Sequence, residues 1–134
     1  MNDKLTIFTD GAARGNPGPA AIGVVIKDEK GKNVAAISRC LGATTNNQAE
    51  YRGIIAALEK ALSLGARQVA VYSDSELMVK QINGQYRIKN AALQPLYAEV
   101  VKLTGRLDSF KISHICREQN SEADALANKA LDGK

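Results

Sequence analysis

A chain of 134 residues that is 45% hydrophobic and 24% charged has the length of one domain and the make-up of an ordinary globular core under a solvated surface. Extensive disorder and a second domain are both argued against, so residues 1–134 are read as a single domain. Eighteen Lys and Arg against fourteen Asp and Glu leave a formal net charge of +4, a mild basic bias that suits a polyanionic partner without demanding one.

Lys4 to Thr9 is a short strand candidate with Leu5, Ile7 and Thr9 on one face. Gly11 to Pro19 is punctuated repeatedly by Gly and Pro and predicts a turn. Ile22 to Lys27 predicts a second strand. The apolar run around it, Ala20 to Ile26, is far too short to span a bilayer, and no basic-then-apolar leader opens the chain. Neither a membrane nor a secretory destination is therefore expected. Asp28 to Lys32 predicts a hairpin loop and Asn33 to Leu41 a third strand, and connections this short make strands one to three an antiparallel meander.

From Thr45 the period changes. Thr45 and Gln48 have capping-box spacing, and Ile54, Ile55, Leu58, Ala61 and Leu62 recur at helical intervals up to Gly65. Gln68 to Ser73 predicts a buried strand. Ser73 with Glu76 offers a second capping box, opening a helix through Met78, Val79 and Ile82 that stops at Gly84. After a loop over Gln85 to Asn90, Leu93, Leu96, Val100, Leu103 and Leu107 trace another helical stripe. Phe110, Ile112, His114 and Cys116 alternate with Lys111, Ser113, Ile115 and Arg117, as a strand would. Ala123, Leu126, Ala127, Ala130 and Leu131 mark a last helix. The order β-β-β-α-β-α-α-β-α implies an α/β fold, a mixed sheet with helices on its faces. Cys40 and Cys116 lack metal-ligand spacing and fall in strand-like segments, which favours two free, buried thiols in a reducing cytoplasm and leaves a disulfide as the alternative.

Acids stand where these elements meet. Asp10 ends the first strand, Glu50 lies in the first turn of the long helix, Asp74 follows the fourth strand, and Asp124 lies in the first turn of the last helix. Strand ends and helix N-termini of a mixed sheet can converge on one rim. Carboxylates gathered there repel one another unless cations sit between them, and carboxylate oxygens suit Mg²⁺ or Mn²⁺. Each acid also has a purely structural explanation. Asp10 before Gly11 is a common turn former, and acids at helix starts serve capping and the dipole. Spacing alone does not bring the four together.

The local motifs are more specific. TDGAARGNPGPAAIG (Thr9–Gly23), TTNNQAEYRGIIAAL (Thr44–Leu58), VYSDSELMVKQING (Val71–Gly84) and REQNSEADALANKAL (Arg117–Leu131) resemble, in order, the motifs of the type 1 ribonuclease H family, and the likeness spans nearly the whole chain. The resemblance implies a five-stranded sheet in order 3-2-1-4-5 with the second strand antiparallel to the others. It implies that Asp10, Glu50, Asp74 and Asp124 form a catalytic cluster binding two Mg²⁺ ions, or Mn²⁺ in their place. The implied reaction is endonucleolytic hydrolysis of the RNA strand of RNA/DNA hybrids, leaving 5′-phosphate and 3′-hydroxyl ends. Asn16, Asn46 and Asn47 match positions that contact the hybrid near its minor groove, Thr45 with Asn16 resembles a pocket for a DNA-strand phosphate, and backbone near Gly11 to Ala13 is placed to read a 2′-hydroxyl.

The sequence also departs from that family's pattern. Many relatives carry a catalytic His in a loop before the last helix; here that connection, Arg117 to Asn120, has none. The only histidine, His114, falls on the apolar face of its strand by alternation and reads as structural. Arg117 resembles the arginine that His-lacking relatives place there, with a role in positioning the scissile phosphate or releasing product. The basic protrusion of some relatives is reduced to Tyr86, Arg87 and Lys89, with Lys80 nearby in sequence; Tyr86 is a candidate for stacking on the DNA strand. A monomer without an obligate protein partner is expected. The alternatives are a non-catalytic module that binds hybrid or double-stranded RNA, and a 3′→5′ exonuclease on the same fold.

Overall fold

Apolar and β-branched residues fill three stretches near the N-terminus, and the computed structural model, which describes residues 3–133, makes each a strand. These are β1 (Lys4–Ala13), β2 (Gly18–Lys27) and β3 (Asn33–Thr44). There follow α1 (Asn46–Ser63), β4 (Gln68–Ser73), α2 (Glu76–Ile82), α3 (Gln94–Thr104), β5 (Ser109–His114), a 3₁₀ turn (Arg117–Asn120) and α4 (Ser121–Leu131). The sheet order is β3-β2-β1-β4-β5. β2 pairs antiparallel with β1 and with β3, whereas β1, β4 and β5 run parallel, so β2 alone opposes the rest, as the resemblance implied.

Ala20 to Ile26 of β2 are all buried, an unbroken apolar run rather than an alternation. A strand reads that way when helices cover both of its faces. Neighbouring strand residues point to opposite faces, and here Ile22 meets Gly53 of α1 while Gly23 meets Ala123 and Ala127 of α4. The two helices therefore sandwich the sheet. The main core lies under α1 and α3, where Leu5, Ile7, Ile54, Leu58, Val71 and Leu103 pack together. Each aliphatic side chain buried so fully stabilises the fold by about 1.5–3 kcal/mol.

The capping box expected at Thr45 forms: its side chain accepts from the Gln48 N–H at 3.2 Å, and Gln48 reaches back to the Thr45 backbone. Helix α1 ends before Gly65, whose φ of +92° is a left-handed geometry that favours glycine. No described helix is long and apolar enough to cross a membrane.

Several expectations need correction. β1 continues through Gly11 to Ala13 and β2 begins at Gly18, so the predicted Gly-Pro turn shrinks to Arg14–Pro17. Asp10 accordingly sits inside β1, paired opposite Gly23, rather than at its end. Ser75, not Ser73, caps α2; Ser73 is held in β4 beside Thr9 and His114, and its hydroxyl accepts from the Ser75 N–H at 3.1 Å. Leu107 lies beyond α3, which ends at Thr104. β5 is an edge strand in which only Ile112 is buried, so the alternation there did not mark an apolar face for His114, which is exposed. Cys40 and Cys116 are free but exposed, the former on edge strand β3 and the latter just past β5.

Candidate active site

The topology brings four chain crossings to one rim. β1, β3, β4 and β5 all run in the same direction, so their carboxyl ends face the same way. α1 starts directly after β3, and α4 starts one 3₁₀ turn after β5. Asp10, Glu50, Asp74 and Asp124 all arise there and line one cleft of about 520 Å³. A crevice beyond the carboxyl ends of parallel strands is the usual ligand site of open α/β sheets.

Glycine sets how closely the elements approach. A Cβ on Gly11 would overlap the backbone of Ala49 and Glu50, so β1 and α1 are in contact at this point only because position 11 has no side chain. The Gly11 N–H donates to Glu50 Oε1 at 3.0 Å and fixes that carboxylate beside Asp10. A Cβ on Gly23 would overlap the Ala123 carbonyl of α4. Since Gly23 pairs with Asp10, this second contact lays the residue before Asp124 close to the first acid. Glu50 is the fifth residue of α1 and so stands past the first turn where it was expected, a position from which it can reach the strand.

Asp10, Glu50 and Asp74 each offer a carboxylate oxygen, and these oxygens lie within 4.8 Å of one another. Asp124 lies near enough for its side chain to help raise the Asp10 pKa. Asp10 is only 6% exposed. Its pKa is pushed up to about 7, first by burial, then by the charge of Asp74 and by Asp124, with the Gly11 N–H acting in the opposite sense. Glu50 is held well above the usual carboxylate range for the same reasons: burial first, then Asp10 and Asp74. Such raised values record charge crowding that a cation would relieve. The donor set is oxygen only, as hard divalent cations require, so the residues present fit a metal of the Mg²⁺ or Mn²⁺ type.

The other predicted residues divide into three groups. Gly11, Asn46 and Arg117 line the cleft. Asn16 and Asn46 form a chain at its edge: the Asn46 N–H donates to Asn16 Oδ1 at 3.0 Å, and Asn46 Oδ1 accepts from the Ala13 N–H at 2.8 Å. Both amide oxygens are engaged, so these side chains offer substrate their NH₂ donors. Gly11 is likewise committed, since its N–H holds Glu50 and its missing side chain makes room for α1. Thr45 spends its acceptor on the helix cap, and Asn47 lies exposed on the first turn of α1. Tyr86 is not in the cleft. It stands half-exposed at a separate hollow with Gln81, Arg87, Ile88 and Tyr97, its hydroxyl 3.4 Å from Lys80 Nζ.

Sequence reasoning missed His114 and Cys116, both exposed residues that line the cleft on the β5 side with Arg117. The available signal was the position of β5 at the sheet edge, which removes the apolar cover that alternation assumed.

Comparison with known proteins agrees with this fold. A family model described as reverse transcriptase-like matches residues 8–130. A bifunctional protein of Mycobacterium tuberculosis is 42% identical over 130 residues, covering 96% of this chain but 36% of that protein. A ribonuclease HI of Halobacterium salinarum is 42% identical over 129 residues, 96% of this chain and 65% of the relative. The chain thus spans less than two thirds of these relatives. A ribonuclease H of Chlorobium phaeovibrioides is 36% identical and matched along 100% of this chain and 99% of its own length. Among solved structures, the Halobacterium RNase H1 superposes with a TM-score of 0.95 at 40% identity, covering 98% and 99% of the two chains. LC11-RNase H1, isolated from compost and solved in complex with an RNA/DNA hybrid, gives 0.91 at 44% identity over 96% of each chain. With the family match, the identities along the chain and the superposed folds in agreement, the chain belongs to the type 1 ribonuclease H family.

Proposed function

We propose that this domain is an endonuclease that hydrolyses the RNA strand of RNA/DNA hybrids, with two Mg²⁺ ions as its cofactors and products bearing 5′-phosphate and 3′-hydroxyl ends. The observation that carries this reading is the convergence of Asp10, Glu50 and Asp74 within 4.8 Å, with Asp124 against Asp10, in an open cleft of a ribonuclease H-family fold. A pure binding module gains nothing from four carboxylates facing a phosphodiester, which they repel. The relative solved with a hybrid supports the substrate class.

Asp10, Glu50, Asp74 and Asp124 would hold the cations. When bound, divalent cations neutralise the phosphate, polarise its oxygens and make a water acidic enough to attack. The chain supplies everything else. The Gly11 N–H keeps Glu50 turned toward the cluster. Arg117, exposed and lining the same cleft, offers a permanent positive charge to a phosphate entering near the acids. Asn46 and Asn16 present donors near the α1 N-terminus, suited to base-edge acceptors and to the 2′-hydroxyl that distinguishes RNA from DNA. Asn47, Thr45 and Tyr86 complete the proposed contact surface, with Tyr86 as a stacking platform outside the cleft.

The test is cleavage of a uniformly labelled RNA/DNA hybrid with Mg²⁺ or Mn²⁺, beside EDTA and single-stranded RNA controls. Internal RNA cuts that require both metal and hybrid support the reading. Stepwise release of mononucleotides would replace it with an exonuclease, and tight binding without turnover under either metal would replace it with a binding module.

A further inference from the structure

Asn120 has no role in the account so far, yet it is 1% exposed, a buried polar side chain just before the helix that bears Asp124. It closes the 3₁₀ turn and precedes α4, the position where Asn commonly accepts from a helix N–H. It makes no such side-chain cap. Instead its Nδ2 donates to the Thr9 carbonyl at 2.9 Å, a bond across 111 residues of sequence.

The place of that bond matters. β1 pairs with β2 as far as Ala13, but its pairing with β4 ends at Thr9 opposite Ser73. Beyond that pair β4 has turned away toward Asp74, and the Asn120 amide takes the carbonyl at the point where the ladder stops. Thr9 is the residue before Asp10. Asp124 is the fourth residue of α4, the helix that Asn120 immediately precedes. One hydrogen bond thus ties the start of the helix bearing Asp124 to the strand bearing Asp10. Gly23 permits the close approach of α4, and the amide fixes where along β1 the helix begins.

We infer that Asn120 is a positioning residue that holds Asp124 against Asp10, opposing the repulsion that would separate two carboxylates when no cation lies between them. The inference rests on the nuclease reading for its consequence in activity and on geometry alone for the latch. Asn120 touches neither substrate nor metal in this scheme and acts through Asp124.

The experiment compares the wild-type chain with Asn120→Ala and with Asn120→Asp, which keeps the size and loses the donor. In the hybrid-cleavage assay both variants should lose about 10²-fold in kcat, the scale of a misplacement near 1 Å, while KM for hybrid stays within about threefold. The Mg²⁺ concentration giving half the maximal rate should rise about tenfold. A purely structural residue would reduce the folded fraction and leave that half-saturation point where it is. A wild-type kcat, or a loss with unchanged Mg²⁺ dependence, overturns the inference. A wild-type chain that does not cleave hybrid defeats the nuclease reading instead. A second measurement needs neither activity nor a variant that folds: in the metal-free wild type, the Asn120 side-chain NH₂ should be protected from hydrogen exchange. Free exchange there overturns the latch.

Discussion

Ile7 and Asp10 stand three residues apart on the same strand, 0% and 6% exposed, and they do opposite things to the protein. Ile7 is buried among Ile54, Leu58 and Val71, and its removal from water is part of what drives folding. Asp10 is buried among carboxylates, and its pKa of about 7 shows that the folded chain resists its charge. The lower half of β1 stabilises the fold and the upper half draws on that stability. The boundary falls near Thr9, where the parallel ladder to β4 ends.

Replacing acid and apolar positions in turn should separate the two halves. Asp10→Asn should lower kcat by on the order of 10³-fold or more, since the cluster loses a metal-bearing charge worth several kcal/mol in the transition state. The same variant should raise the metal-free melting temperature at pH 8, because it removes a repelled, buried carboxylate. A variant that keeps wild-type kcat, or melts lower without metal, breaks the comparison. Ile7→Ala should do the reverse: urea unfolding should show a loss of about 2–5 kcal/mol, with kcat per folded molecule nearly unchanged. Gly11→Ala lies on the boundary and should damage both. The added methyl forces β1 from α1 at a cost of about 1–3 kcal/mol, and it moves Glu50 from the cluster, so kcat should fall even at temperatures where the variant is fully folded.

The smallest effect is on pH dependence, and its sign follows from Asp10. The folded chain holds the Asp10 proton up to about pH 7, whereas the unfolded chain releases it near the ordinary 3.8. Between those values the folded state binds more protons, so this group makes metal-free stability fall as pH rises from about 4 to 7. Glu50, shifted in the same direction, adds to the decline. A melting series in EDTA should show it, and saturating Mg²⁺ should flatten it. A metal-free melting temperature that climbs steadily through that range would contradict the crowding.

Much of this was legible before any coordinates. Four acids inside ordered motifs pointed to the rim, and the capping box at Thr45 and the helix stop at Gly65 are local signals that tertiary contacts did not override. What escaped the sequence has a common physical cause: the deciding partner is remote. Gly11 reads as a turn residue because nothing local shows that α1 will press on it. His114 reads as buried until β5 is known to be an edge. Ser73 looks like a cap until β4 is seen to hold it in the sheet. Asn120 carries no local signal, since its partner lies 111 residues away.

The most direct test of the central claim, that these crowded acids form a cation site, is calorimetric titration of the metal-free protein with Mn²⁺ near pH 7 in two buffers of different ionisation enthalpy. The account predicts binding accompanied by proton release, with both the affinity and the released protons sharply reduced in Asp10→Asn. Binding that releases no protons, or that is as strong without the Asp10 carboxylate, would contradict it.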